Sequence, residues 1–123
     1  MSCTITAREI RSVAVLELKG KFTLGDANGV IRTAVTDLLA AGRQEILLDL
    51  SSVTYLDSAA GIGELVSSYT SALRQGAQLK LLRPGKNVDR VLRIVGLHNV
   101  FDLFDDEDAA LRSFEQARSA TVD

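Results

Sequence analysis

The chain has 123 residues, 46% hydrophobic and 24% charged, which is the composition of one ordinary globular domain. Lys and Arg total 14 against 16 Asp and Glu, a net charge of −2 that excludes the strong basic field nucleic-acid binding draws on. One cysteine, Cys3, excludes an internal disulfide, and with one histidine, His98, it argues against a metal site. Met1 to Ile5 holds neither a basic region nor an apolar run, so no signal peptide is expected. No stretch approaches the ~20 consecutive apolar residues of a membrane span. The expectation is a cytoplasmic protein without membrane or nucleic-acid partners. At this length a chain buries ~65% of the surface it exposes when unfolded, enough for one core.

Thr4 to Ile10 reads as a half-polar strand, Arg11-Ser12 as a tight turn, and Val13 to Lys19 as a second strand. Ala14, Leu16 and Leu18 fall on one face of that strand, Val15 and Glu17 on the other. Gly20 is read as ending it, with Lys21 to Gly25 as a loop. Val30, Ile31, Ala34, Val35, Leu38 and Leu39 then recur at helical period, predicting a helix from Asp26 to Ala41. Asp26 is its expected N-cap, and Gly42 the residue that ends it in the left-handed conformation.

Glu45 to Leu50 is almost continuously apolar, as a strand covered on both faces would be, and Ser51 to Leu56 extends it towards Asp57. Ile62, Leu65, Val66, Tyr69, Ala72 and Leu73 mark a second helix that stops at Gly76. Leu79 to Leu82 is a short buried strand closed by Arg83-Pro84-Gly85. Val88, Val91, Leu92 and Val95 share a face of a third helix, and Val100 to Phe104 is a last strand. Asp105 to Asp108 places acid at the start of a final helix, where it complements the macrodipole. The tail after Arg118 is expected to be loose. The order β-β-α-β-α-β-α-β-α defines an α/β fold with a mixed, mostly parallel sheet of about five strands, four helices and an opening hairpin.

The residues with most chemical promise follow the central strand: Asp57-Ser58-Ala59-Ala60-Gly61-Ile62-Gly63-Glu64. Ligands of open α/β sheets gather outside the carboxyl ends of the strands. Small residues there leave the backbone approachable, and a helix N-terminus can steady a phosphate. Ser58 is the hydroxyl, with Asp57 placed to support it. The same residues are also ordinary helix caps, and Gly61 and Gly63 ordinary close-packing residues. Gly61-x-Gly63 lacks the third glycine of a dinucleotide fingerprint, which would fall at Val66. A solvated turn accounts for Lys86, and dipole-matched acids for Asp105 to Asp108. A Ser-His-Asp triad would have to use His98, in a polar turn with no nucleophile motif beside it. No cofactor, metal or catalytic residue is expected.

Taken together, Leu16 to Phe22, Ile46 to Leu50, Val53 to Ser58, Gly61 to Val66, Leu79 to Leu82, Val91 to Leu97 and Val100-Phe101 resemble the STAS domain, the fold of bacterial anti-sigma factor antagonists and of sulphate-transporter tails. The resemblance runs from about Thr4 to Phe114. It implies a single STAS-like domain over residues 1–123, ordered over about 4–118. In that family the motif D-S-[ST]-G-[LI] carries a serine phosphorylated by a kinase-type anti-sigma factor, and phosphorylation releases the antagonist so that partners exchange. Here three residues, Ser58-Ala59-Ala60, separate Asp57 from Gly61 where the motif has two. In either register the second hydroxyl is replaced by alanine, which leaves Ser58 as the candidate acceptor.

The resemblance therefore implies an anti-sigma factor antagonist, a transcription regulator and phosphoprotein rather than an enzyme. Ser58 would be the switch, with Asp57, Gly61 and Gly63 supporting it. Lys21, Phe22, Thr23, Ala59, Ala60 and an exposed Glu64 would form the partner surface. Two other readings stay open. One is a constitutive antagonist or scaffold subunit that is never phosphorylated. The other is a nucleotide-binding protein, disfavoured because no Lys or Arg sits in the 57–64 loop. Exposed apolar residues near the opening hairpin leave room for a weak homodimer.

Overall fold

Arg11 and Ser12 both take positive φ, 52° and 69°, the turn whose twist matches two antiparallel strands. They join β1 (Cys3–Ile10) to β2 (Val13–Phe22), so the opening hairpin forms as expected. The computed structural model describes residues 3–23, 29–57 and 61–120. The elements that follow are α1 (Val30–Ala40), β3 (Glu45–Leu56), α2 (Gly63–Arg74), β4 (Gln78–Leu82), α3 (Gly85–Ile94), β5 (Leu103–Phe104) and α4 (Glu107–Ala120).

The sheet order is β1-β2-β3-β4-β5, with β1 antiparallel to β2 and every other pair parallel. Right-handed crossovers between successive parallel neighbours bring their helices to one side of the sheet. On that face Leu16 and Leu18 of β2, Ile46 and Leu48 of β3, and Leu79 and Leu81 of β4 meet α1 (Ile31, Val35), α2 (Leu65, Ala72) and α3 (Val88, Leu92). The opposite face alternates as strand geometry requires. Val13, Val15, Leu47 and Leu82 pack there under Ala110, Leu111 and Phe114 of α4 alone. One layer is three helices thick and the other a single helix, so the second leaves part of its sheet to polar side chains.

Those polar residues hold the thin layer in place. Arg8 on β1 pairs with Glu17 on β2 and with Glu107 in the first turn of α4, fastening the hairpin to the final helix. The Lys80 ammonium lies 4.6 Å from the Phe114 ring centre and 2.8 Å from Ser113 Oγ. Burial lowers its pKa from the usual lysine value.

Three boundaries and two burial assignments differ from expectation. β2 does not stop at Gly20 but runs to Phe22. Register irregularities between Glu17 and Lys19 and between Gly20 and Lys21 place the extra residues on β3, and Gly20, at φ 100°, stays within β2. α1 starts at Val30 behind Gly29, not at Asp26, which lies outside the described residues. Gly42 does end it, with φ 86°. The last strand is only Leu103–Phe104. Leu73 and Val95, read as buried by their period, are exposed, because α2 buries a stripe centred on Leu65, Ser68 and Ala72 and α3 ends at Ile94.

Candidate functional site at the carboxyl ends of β2 and β3

β2 and β3 finish side by side, Phe22 opposite Leu56, and both then leave the sheet. Asp57 stays fastened to this end, its N–H donating to the Phe22 carbonyl at 3.1 Å. Its own carbonyl accepts from Gly61 N at 3.1 Å and from Ile62 N at 3.0 Å, and its Oδ1 accepts from Gly61 N at 3.2 Å. Asp57 is thus the cap for the entry to α2. Ser58, Ala59 and Ala60 lie outside the described residues.

The bond from Ile62 N to Asp57 O spans five residues, a wide π-type turn rather than an α-turn. Such a turn takes up one more residue than a normal helix start. Gly61 is buried, and a Cβ built on it would stand 2.3 Å from Leu56 Cγ and 2.5 Å from Leu56 Cδ1. The close approach that small residues here suggested is real at this position. Gly61→Ala is expected to destabilise the fold by about 1–3 kcal/mol by displacing the buried Leu56 side chain. Urea unfolding measures it, and a variant as stable as the parent would sink the packing argument. Gly63, by contrast, is an exposed first residue of α2.

Two of the expected partner-surface residues are corrected. Phe22 is fully buried in the core beneath the three-helix layer, because it lies on the same alternating face of β2 as Leu16 and Leu18. Glu64 is not exposed but 5% accessible. Its carboxylate accepts from the backbone N–H of Gly29, from Ile31 N at 3.0 Å and from Arg32 N at 3.1 Å. Those are the unpaired donors at the start of α1, and Gly29 offers no side chain to cap them. Glu64 supplies from another helix the cap that Asp26 was expected to supply locally. Of the other expected residues, Lys21 is exposed and Thr23 half-buried at the end of β2.

Glu64 also couples two segments. Residues 24–28 lead into Gly29, and residues 58–60 lead into Gly61, so one carboxylate joins the helices that follow both. The bond from Asp57 to Phe22 joins the strands that precede them. The end of the sheet where β2 and β3 finish is therefore a cross-linked platform.

Among the described residues the exposed large hydrophobic side chains are Tyr55, Leu73, Ile94, Val95 and Val100, none of them on the opening hairpin itself. An open groove of about 760 Å³ does lie between β1 and α1, lined by Ile5, Leu16, Val30, Ala34 and Leu38 among others. No group of three or more His, Cys, Asp or Glu among the described residues is placed to hold a metal ion. No helix among them is long and apolar enough to cross a membrane.

A five-stranded sheet with an antiparallel opening strand, helices on both faces and a cross-linked end where β2 and β3 finish defines a mixed α/β domain. A profile of the STAS domain matches residues 4–110, and the chain belongs to the STAS domain family. Its fold is similar to that of an anti-sigma factor antagonist from Mycobacterium paratuberculosis, at 23% identity and a TM-score of 0.80 over 91% of this chain and 93% of that one. A putative anti-sigma factor antagonist from Thermotoga maritima is 25% identical, with a TM-score of 0.75 over 89% of this chain and 92% of that one. The Bacillus cell fate determinant SpoIIAA in its phosphorylated form is 18% identical, with a TM-score of 0.70 over 90% and 99%.

Proposed function

We propose that the protein is a regulatory binding module of the anti-sigma factor antagonist type, acting in the cytoplasm and catalysing nothing itself. The observation that carries this reading is the platform at the carboxyl ends of β2 and β3. There Asp57, the residue before Ser58 in sequence, is bonded to Phe22, and Glu64 to the start of α1. Membership of the STAS family and the likeness to solved antagonists support it. A kinase-type anti-sigma factor would meet Lys21, Thr23 and residues 58–60. Phosphate on Ser58 would add about two negative charges to a packed contact and release the partner.

The test uses the anti-sigma factor that co-purifies with the protein from its native host. Ser58→Asp is expected to weaken its binding by about 1 kcal/mol or more in a calorimetric titration, the scale of an interfacial charge effect. Equal binding by parent and variant would remove the switch from the proposal. Mass spectrometry of the tryptic peptide Gln44–Arg74 from the same preparation reads the phosphate directly. The alanines at 59 and 60 favour a second reading, a constitutive antagonist. Partner bound with Ser58 unmodified, and a Ser58→Ala protein that behaves in cells as the parent does, would establish it.

A further inference from the structure

β3 is longer than the strand beside it. Its pairing with β4 ends at Asp49 opposite Leu82, whereas β3 itself continues to Leu56. Over residues 50–56 it has β2 on one side and, among the described residues, no strand on the other. Alternate residues of a strand direct their N–H and C=O groups to the same edge, so this stretch offers an open row of main-chain donors and acceptors. One of its amides is already used locally, Ser51 N donating to Asp49 Oδ1 at 3.0 Å.

Exposed edges are usually blunted by lysine, proline or charged side chains. Leu50-Ser51-Ser52-Val53-Thr54-Tyr55-Leu56 contains none of these. The open edge borders a groove of about 300 Å³ between β3 and α3, with Val53, Val88 and Val91 among its lining and Tyr55, 51% exposed, beside it. Its other lining residues include Lys86 and Arg90, both exposed and neither in an ion pair among the described residues. The acid on the same helix, Asp89, is engaged by Arg93 at 2.9 Å. In a chain of net charge −2, these two cations beside an open strand edge form a local field of the opposite sign.

We propose that this groove docks an extended, acidic protein segment that adds as a strand to residues 50–56 of β3 and sets its carboxylates against Lys86 and Arg90. Main-chain bonds would supply affinity and the two cations would select charge, the division of labour of strand addition. The proposal does not depend on Ser58 being phosphorylated, so failure of either proposal leaves the other standing.

The probe is a library of octapeptides in which Glu alternates with Val, Ile or Thr, titrated into the isotopically labelled full chain and followed by NMR. The expected result is saturable binding with new amide protection at alternate residues of 50–56. Lys86→Glu with Arg90→Glu, both on the surface, should weaken it about tenfold or more, while Lys-alternating peptides should bind the double variant better than the parent. N-methylation of alternate peptide amides should abolish binding. No saturable binding up to millimolar peptide overturns the proposal. So does binding that spares the amides of 50–56, tolerates N-methylation, or ignores the charge reversal.

Discussion

Phe22→Ala is expected to destabilise the protein by about 3–5 kcal/mol, the cost of emptying a buried aromatic site. The ring is fully buried among Leu18, Ile31, Leu56 and Ile62 of the same core. Its backbone carbonyl holds the Asp57 N–H, so the cavity would open directly beneath the candidate platform. Against a typical total stability of about 5–15 kcal/mol, such a loss leaves little margin. Urea unfolding should show a lower midpoint at unchanged slope. Phe22→Leu, which refills most of the volume, should recover most of the loss. Were Phe22 instead a partner contact, the alanine variant would keep its stability and lose only binding. That pattern would overturn the placement of Phe22 in the core.

Local periodicity carries information only about residues that neighbour one another on an element, and the outcome here follows that limit. The apolar stripe of α1, the hairpin turn at Arg11-Ser12 and the doubly covered strand at 46–50 are local patterns, and each formed as read. The start of α1 was not local. Gly29 cannot cap it, and the acceptor comes from Glu64, 32 to 35 positions away in sequence. A glutamate in the first turn of a helix is a common sight, explained well enough by its own helix dipole, and nothing nearby marks it as the cap of another. Gly20 misled for a related reason, since a glycine that breaks an isolated strand is tolerated once β3, which carries the bulges, lies alongside. The extra residue between Asp57 and Gly61 could be counted, but the wide turn closed by the Asp57–Ile62 bond could not be read from it.

Glu64→Ala is expected to cost about 3 kcal/mol, because three backbone donors at the start of α1 would lose one shared acceptor. The partial positive charge of that helix start would also lose its negative complement. A bare cavity argument predicts less, since the side chain is mainly polar and its methylenes are few. Glu64→Gln separates the two contributions. Its carbonyl oxygen can serve the donors of Ile31 and Arg32, but its amide turns a donor towards Gly29 N–H and carries no charge. Partial rescue is the expected outcome, a cost of about 1–2 kcal/mol. Hydrogen exchange gives the site-specific readout. In both variants the amides of Gly29, Ile31 and Arg32 should exchange faster than those of the α2 core residues Leu65 and Ser68. Uniform acceleration would mean that Glu64 contributes only to global stability. Selective loss would show that one buried carboxylate holds together the two helices whose starts flank the proposed switch. A phosphate on Ser58, a few residues before Glu64, would then act on a platform whose two halves already move as one.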